Sequence, residues 1–238
     1  VLTGFLIAAL LTVVPTARVR ATRISDVDTV EYLSNSEKDL IREINVLRAD
    51  PAKYVVHLEQ MKKYYRGKEY KPPGSTVALL TNEGIAAVDE AIAFVRTAKA
   101  VTQYELSKGL SRAAKDHVTD LGKSGNSGHK GTDGSSTEAR CNRYGTFSNG
   151  IGENIVYQSD SAREIVLGWL VDDGVATRGH RRNLLSPGYK FIGVAIGEKS
   201  SYGSMCVLTF AGTYAEMIVA PGKTAKPAAT QKSAVRKM

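Results

Sequence analysis

Apolar positions recur at helical spacing through the first two thirds of this chain and bunch into strand-like runs in its last third. Leu40, Ile41, Ile44 and Leu47 form one stripe, which predicts a helix over 37–49. Ser36 is its expected cap, Asp39 its third helical position and Asp50-Pro51 its end. Ile85, Val88, Ile92 and Val95 predict a second helix over 81–98, and Leu110, Ala114, His117 and Leu121 a third over 107–121. Residues 62–76, with Lys71-Pro72-Pro73-Gly74, read as a polar, basic loop. Residues 122–150 are rich in glycine and small polar side chains and have no period. Such a segment inside a domain is more often functional than ornamental. Ser161-Ala162-Arg163-Glu164 has the spacing of a capping box and opens a fourth helix, 161–170, with Ile165, Val166, Trp169 and Leu170 on its buried face. Phe191–Gly197 and Met205–Ala211 read as strands joined by a turn at 198–203. Helices first and strands late predict an α+β or layered α/β/α domain.

Composition adds size and compartment. The 238 residues, 42% hydrophobic, suffice for a core without a disulfide scaffold. The net charge of +8 is concentrated at the ends. Residues 217–238 carry Lys223, Lys226, Lys232, Arg236 and Lys237 and no acid, and Arg18 and Arg20 lie near the start. The body between is close to neutral, which argues against a nucleic-acid partner. Phe5–Val14 is too short to span a bilayer but suits the apolar segment of a secretory signal, with Val19-Arg20-Ala21 before a cleavage point. The alternatives are a buried element of the mature fold and, less favoured, a membrane anchor. No later segment has the length for a membrane span. The organisation is therefore read as a leader over 1–21, a linker over 22–35, a domain over 36–214 and a basic, disordered tail over 215–238. In an oxidising compartment Cys141, in a polar loop, and Cys206, in an apolar strand, either form one bridge or remain two thiols.

Chemistry is expected to concentrate in few places. Of the four histidines, His57 has no partner in view and His117 lies on the apolar face of the third helix, where a core role fits. His129, between Gly128 and Gly131, and His180, after Gly179 and before Arg181-Arg182, lie in loops. Among the acids, Glu164 is explained as a cap, whereas Glu153 in Gly152-Glu153-Asn154-Ile155 has no helix to cap. Asp172 stands at a helix C-terminus, where a negative charge needs a positive partner. Two imidazoles and two carboxylates can hold zinc, shuttle protons or form a structural hydrogen-bond cluster. No Gly-x-Ser-x-Gly elbow, phosphate-binding loop or His-Glu-x-x-His is present.

Leu110…Ala114…His117…Asp120, Gly128-His129, Gly152-Glu153-Asn154-Ile155, Trp169-Leu-Val-Asp172 and Gly179-His180-Arg181-Arg182-Asn183-Leu184-Leu185, with Asn45 and Arg48 upstream, together resemble the CAP superfamily: cysteine-rich secretory proteins, antigen-5 and pathogenesis-related type-1 proteins. The likeness is greatest to its short microbial branch and covers about 36–214. It implies a three-layer α-β-α sandwich with a central antiparallel sheet and a cleft holding two histidines and two acids, which bind zinc or another divalent cation in several members. Carried over by motif, these are His129, Glu153, Asp172 and His180. Asp172 stands where the family often has Glu, and the segment around 55–106 is an insertion to the common core.

Three functional readings stand, the first two resting on the resemblance and the third on the charge of the tail. The first is a secreted, monomeric, non-enzymatic binding module whose cleft takes a divalent metal and a lipid, sterol or extracellular protein. The second is a metal-dependent hydrolase using Glu153 or Asp172 as base. The third is an envelope component held by its basic tail.

Overall fold

A four-stranded sheet separates two layers of helices in the computed structural model, which describes residues 24–157, 161–200 and 203–217. The leader and nearly all of the basic tail lie outside the described residues. In chain order, a 3-10 turn at Ile24–Thr29 leads into α1 (Asn35–Ala49), and a second at Pro51–Lys53 into α2 (Tyr54–Lys62). Then come β1 (Tyr65–Arg66), β2 (Glu69–Tyr70), β3 (Leu79–Leu80), α3 (Ile85–Thr97), β4 (Glu105–Leu106), α4 (Lys108–Ser124), α5 (Thr137–Cys141) and β5 (Gly145–Tyr157). The chain closes with α6 (Ala162–Val171), α7 (Gly179–Leu184), β6 (Phe191–Lys199) and β7 (Gly203–Glu216). The main sheet has the order β4-β6-β7-β5, and β1-β2-β3 form a small separate sheet. β6, β7 and β5 pair antiparallel, and only the two-residue β4 pairs parallel, with β6.

The two-residue period of the strands builds both halves of the core. Ile192, Val194, Cys206, Leu208 and Phe210 pack with the buried stripes of α1, α3 and α6. Ala195, Met205, Val207 and Ala211 face the other way, where Leu110, Ala114, Val118 and Leu121 of α4 cover them. The close approach of α4 to β6 depends on Gly193, because a Cβ there would stand 2.2 Å from the backbone of Leu110 and Ser111. Arg48, fully buried, ties α1 to the segment before β4 and to the end of α7. Its Nε donates to Thr102 O at 2.8 Å and its Nη1 to Leu184 O at 2.7 Å, and its guanidinium lies 3.7 Å from the Tyr104 ring centroid.

Several local expectations are corrected. Ser34, not Ser36, caps α1, and the third helical position is Glu37, which completes a capping box, rather than Asp39. Within the segment read as a linker, Val27, Val30 and Leu33 are buried in the main core. Residues 62–76, read as a loop, include β1 and β2. The aperiodic 122–150 segment ends in α5 and the first part of β5. Its strand portion, Gly145–Gly150, lies at the sheet edge and has little apolar content, so no alternation announces it. The final strand runs to Glu216, whose carboxylate accepts from Ser107 Oγ and Gly109 N at the start of α4. Cys141 is buried in α5 rather than in a loop, and no bridge forms: both cysteines are free thiols, in different core clusters. No described helix is long and apolar enough to cross a membrane.

Candidate functional site

β5 is an edge strand of the main sheet, and the four expected site residues gather along it as two pairs. Glu153 stands opposite Thr209 and Asn154 opposite Leu208, so successive side chains of β5 turn to different layers. Glu153 turns toward α5. Its Oε1 lies 2.9 Å from His129 Nδ1 and accepts from Thr137 Oγ1 at 3.0 Å, while its Oε2 accepts from Arg140 Nη2 at 2.7 Å. Asn154 turns toward α7, donating to His180 O at 3.1 Å and accepting from Asn183 Nδ2 at 2.9 Å. On that side His180 Nδ1 lies 2.6 Å from Asp172 Oδ1.

The His129 loop is pinned from several directions. Asp120 of α4 accepts from Thr132 N at 2.7 Å, Gly131 N donates to Ser135 O, and Gly128 N donates to Tyr157 Oη at 3.0 Å. Arg140 Nη1 reaches His129 O and Ser135 O, so one buried guanidinium holds both the loop backbone and the acid that orients the loop's imidazole. Burial pushes the Glu153 carboxyl up, but the His129 hydrogen bond and the Arg140 charge outweigh it and hold the group below the usual carboxylate range. An ionised carboxylate only accepts, which places the His129 proton on Nδ1 and leaves Nε2 as the bare nitrogen.

Asp172 ends α6 in the left-handed region at φ 54°. Its charge is met by the start of α7, with Oδ2 accepting from His180 N at 2.9 Å and Arg181 N at 3.4 Å. The positive partner expected for this acid is thus the amides at the start of the next helix. The loop between is latched to α3 and the turn before it. Arg178 forms ion pairs with Glu83 and Glu90 and donates to Asp172 O at 2.9 Å, while Asp173 accepts from Asn82 N and Glu83 N. The insertion therefore braces the loop carrying the second pair.

Both acids are almost fully enclosed, their side chains 3% and 2% exposed, whereas the His129 side chain is 57% and that of His180 24% exposed. Among the described residues, no three His, Cys, Asp or Glu side chains come together closely enough to hold one ion. The residues present fit a metal only through the imidazole Nε2 atoms, because each Nδ1 is already occupied by a carboxylate. His117 is fully buried, with Nε2 donating to Gly128 O at 2.9 Å, as a core histidine would. His57 sits at the surface beside Arg163.

Arg140, Thr137, Asn154, Asn183 and Arg178 were not singled out from sequence as site residues. Asn154 and Asn183 did stand inside recognisable motifs. Nothing near Arg140 in sequence marks it as the partner of an acid thirteen positions on.

No curated protein matches the chain. Among solved structures, an outer surface protein from Borrelia burgdorferi aligns with 19% identity and a TM-score of 0.40, over 47% of this chain and 78% of that one. An extracellular protein containing an SCP domain from Bacillus anthracis aligns with 18% identity and a TM-score of 0.36, over 53% of this chain and 37% of that one. The profile of the cysteine-rich secretory protein family matches residues 42–211, more than half of the chain, and the chain belongs to that family.

Proposed function

We propose that this domain is a secreted binding module whose ligand-facing groups are the Nε2 atoms of His129 and His180. Glu153 and Asp172 orient the imidazoles from behind rather than reaching the ligand themselves. The observation that carries this reading is the contrast within each pair, an enclosed carboxylate on Nδ1 and a more accessible ring. That contrast is the carboxylate–histidine arrangement that raises the basicity of a metal-binding nitrogen. A divalent cation such as zinc is the ligand that donor chemistry favours, and a small lipid or an extracellular protein is the partner expected of the same cleft. When bound, the cation would supply Lewis acidity. The chain's own contribution is to fix both rings and keep their protons on Nδ1. A hydrolase reading has weaker support, because Glu153 is enclosed and held ionised by Arg140. A base in that state has little reach to a water and little affinity for its proton.

Zinc calorimetry on the full chain tests the proposal. One zinc per chain is expected, with affinity falling about tenfold or more in His129→Ala and in His180→Ala, and by a similar order in Asp172→Asn. Two zincs per chain, one lost in each histidine variant, would mean two independent sites. Unchanged binding in both histidine variants would sink the assignment.

A further inference from the structure

The insertion carries a feature that neither the core nor the histidine pairs explain. Val77, Ala78, Leu79 and Leu80 form a run of four consecutive apolar residues that are all exposed, with Val77 64%, Leu79 49% and Leu80 82% accessible. Isolated exposed leucines are ordinary, but a contiguous exposed run marks an interaction site. The run leads into and includes β3, an outer strand of the small sheet, paired on one side only, to β2. The small sheet is well tied together. Tyr65 and Tyr70 stack at 4.7 Å, Lys71 N donates to Tyr64 O, and Thr81 N donates to Lys68 O at 2.9 Å.

The charges beside the run are mainly basic. Lys63, Arg66, Lys68 and Lys71 are exposed and make no ion pair among the described residues, against the exposed acids Glu69 and Glu164. Glu164 acts on Tyr70, and Asp173, which acts on Tyr65, is already engaged by Asn82 N and Glu83 N.

We propose that the β1–β3 sheet of the insertion is a docking fin for an anionic lipid surface, with Val77, Leu79 and Leu80 entering the headgroup region and Lys63, Arg66, Lys68 and Lys71 meeting lipid phosphates. An alternating strand sends its side chains to both faces of its sheet, and here both faces are apolar and exposed at β3. A peptide pairing with the strand edge would satisfy backbone groups but leave both faces in water, whereas an interface surrounds them on every side. The open edge of β3 limits the depth, since unpaired amides and carbonyls are tolerated among hydrated headgroups but not in hydrocarbon. Tyrosine and lysine stems suit that depth.

The test uses the full chain with vesicles of phosphatidylcholine containing about 30% phosphatidylglycerol, and vesicles of phosphatidylcholine alone, in a co-sedimentation assay. Binding is expected to the anionic vesicles and to weaken with added salt. It should fall about tenfold or more in Leu79→Ser/Leu80→Ser and by a similar factor in Lys68→Glu/Lys71→Glu. Because the changed side chains are exposed, circular dichroism and melting should match wild type. The Leu80→Trp variant should show a blue shift in emission on vesicle addition that wild type, with only the buried Trp169, does not. Equal binding by the leucine variant would overturn the proposal and place the attraction in the basic tail. It would also fall if wild type self-associates in sedimentation velocity while Leu79→Ser/Leu80→Ser is monomeric, because the patch would then join copies of the chain. Absence of binding to anionic vesicles would refute it outright.

Discussion

Replacing Glu153 with glutamine separates a scaffold acid from a ligand-binding one. The carboxylate uses both oxygens, Oε1 for His129 and Thr137 and Oε2 for Arg140. An amide has one acceptor oxygen, so in either orientation its NH2 faces a donor. If the oxygen stays with His129 and Thr137, the Arg140 guanidinium, only 2% exposed, loses its anion and keeps only neutral acceptors. Breaking a buried pair from one side costs roughly 3–5 kcal/mol, much of it the penalty of the stranded charge. The surviving carbonyl bonds of Arg140 argue for the lower end, about 3 kcal/mol. With a urea slope of about 2 kcal/mol per molar, the midpoint should drop by about 1.5 M. Trp169 is the single tryptophan, is buried, and donates to Ile155 O on β5 at 3.3 Å, so its fluorescence follows this strand. A second variant, Arg140→Met/Glu153→Leu, removes both charges and should be more stable than the sum of the two single changes by at least about 1 kcal/mol. The depressed Glu153 ionisation stabilises the fold above the ordinary carboxylate range, and that contribution is lost as pH falls through the lowered folded value. Glu153→Gln should therefore also reduce acid sensitivity. A Glu153→Gln protein within about 0.5 kcal/mol of wild type, or more stable, would refute the reasoning and mark the acid as kept for a ligand at the expense of stability.

Two further outcomes follow from the same geometry. Burial lowers the His117 imidazole below its usual 6.5, so below that pH the unfolded chain takes a proton that the folded chain refuses. Stability should decline from about pH 6.5 down to the lowered folded value. His117→Gln, which keeps a donor toward Gly128 O, should flatten that part of a melting-temperature profile, and an unchanged slope would exclude His117 as its source. Burial also pushes the Cys141 thiol up to about 12 and raises that of Cys206. Both should resist iodoacetamide in the folded protein and react fully in denaturant without reductant, whereas a bridge would leave them unreactive until reduced.

The sequence alone determined the helical stripes of α1, α3, α4 and α6, the late strands and the family, because each is written in short-range spacing. It also placed His117 in the core and drew attention to His129, Glu153, Asp172 and His180. Elements with weak local signals were missed or shifted: Ser34 rather than Ser36 caps α1, and the insertion's two-residue strands have no period to read. The separation of Cys141 from Cys206, the pairing of His129 with Glu153 and of His180 with Asp172, and the burial of Arg140 were decided only by tertiary structure. Strand β5 explains why. Residues 153 and 154 are neighbours in sequence, but the pleat sends one to Arg140 and His129 and the other to His180 and Asn183, and those partners arrive from helices and loops whose positions are set by packing on the sheet. Periodicity reports which face of an element is buried, but not which distant side chain will meet it there.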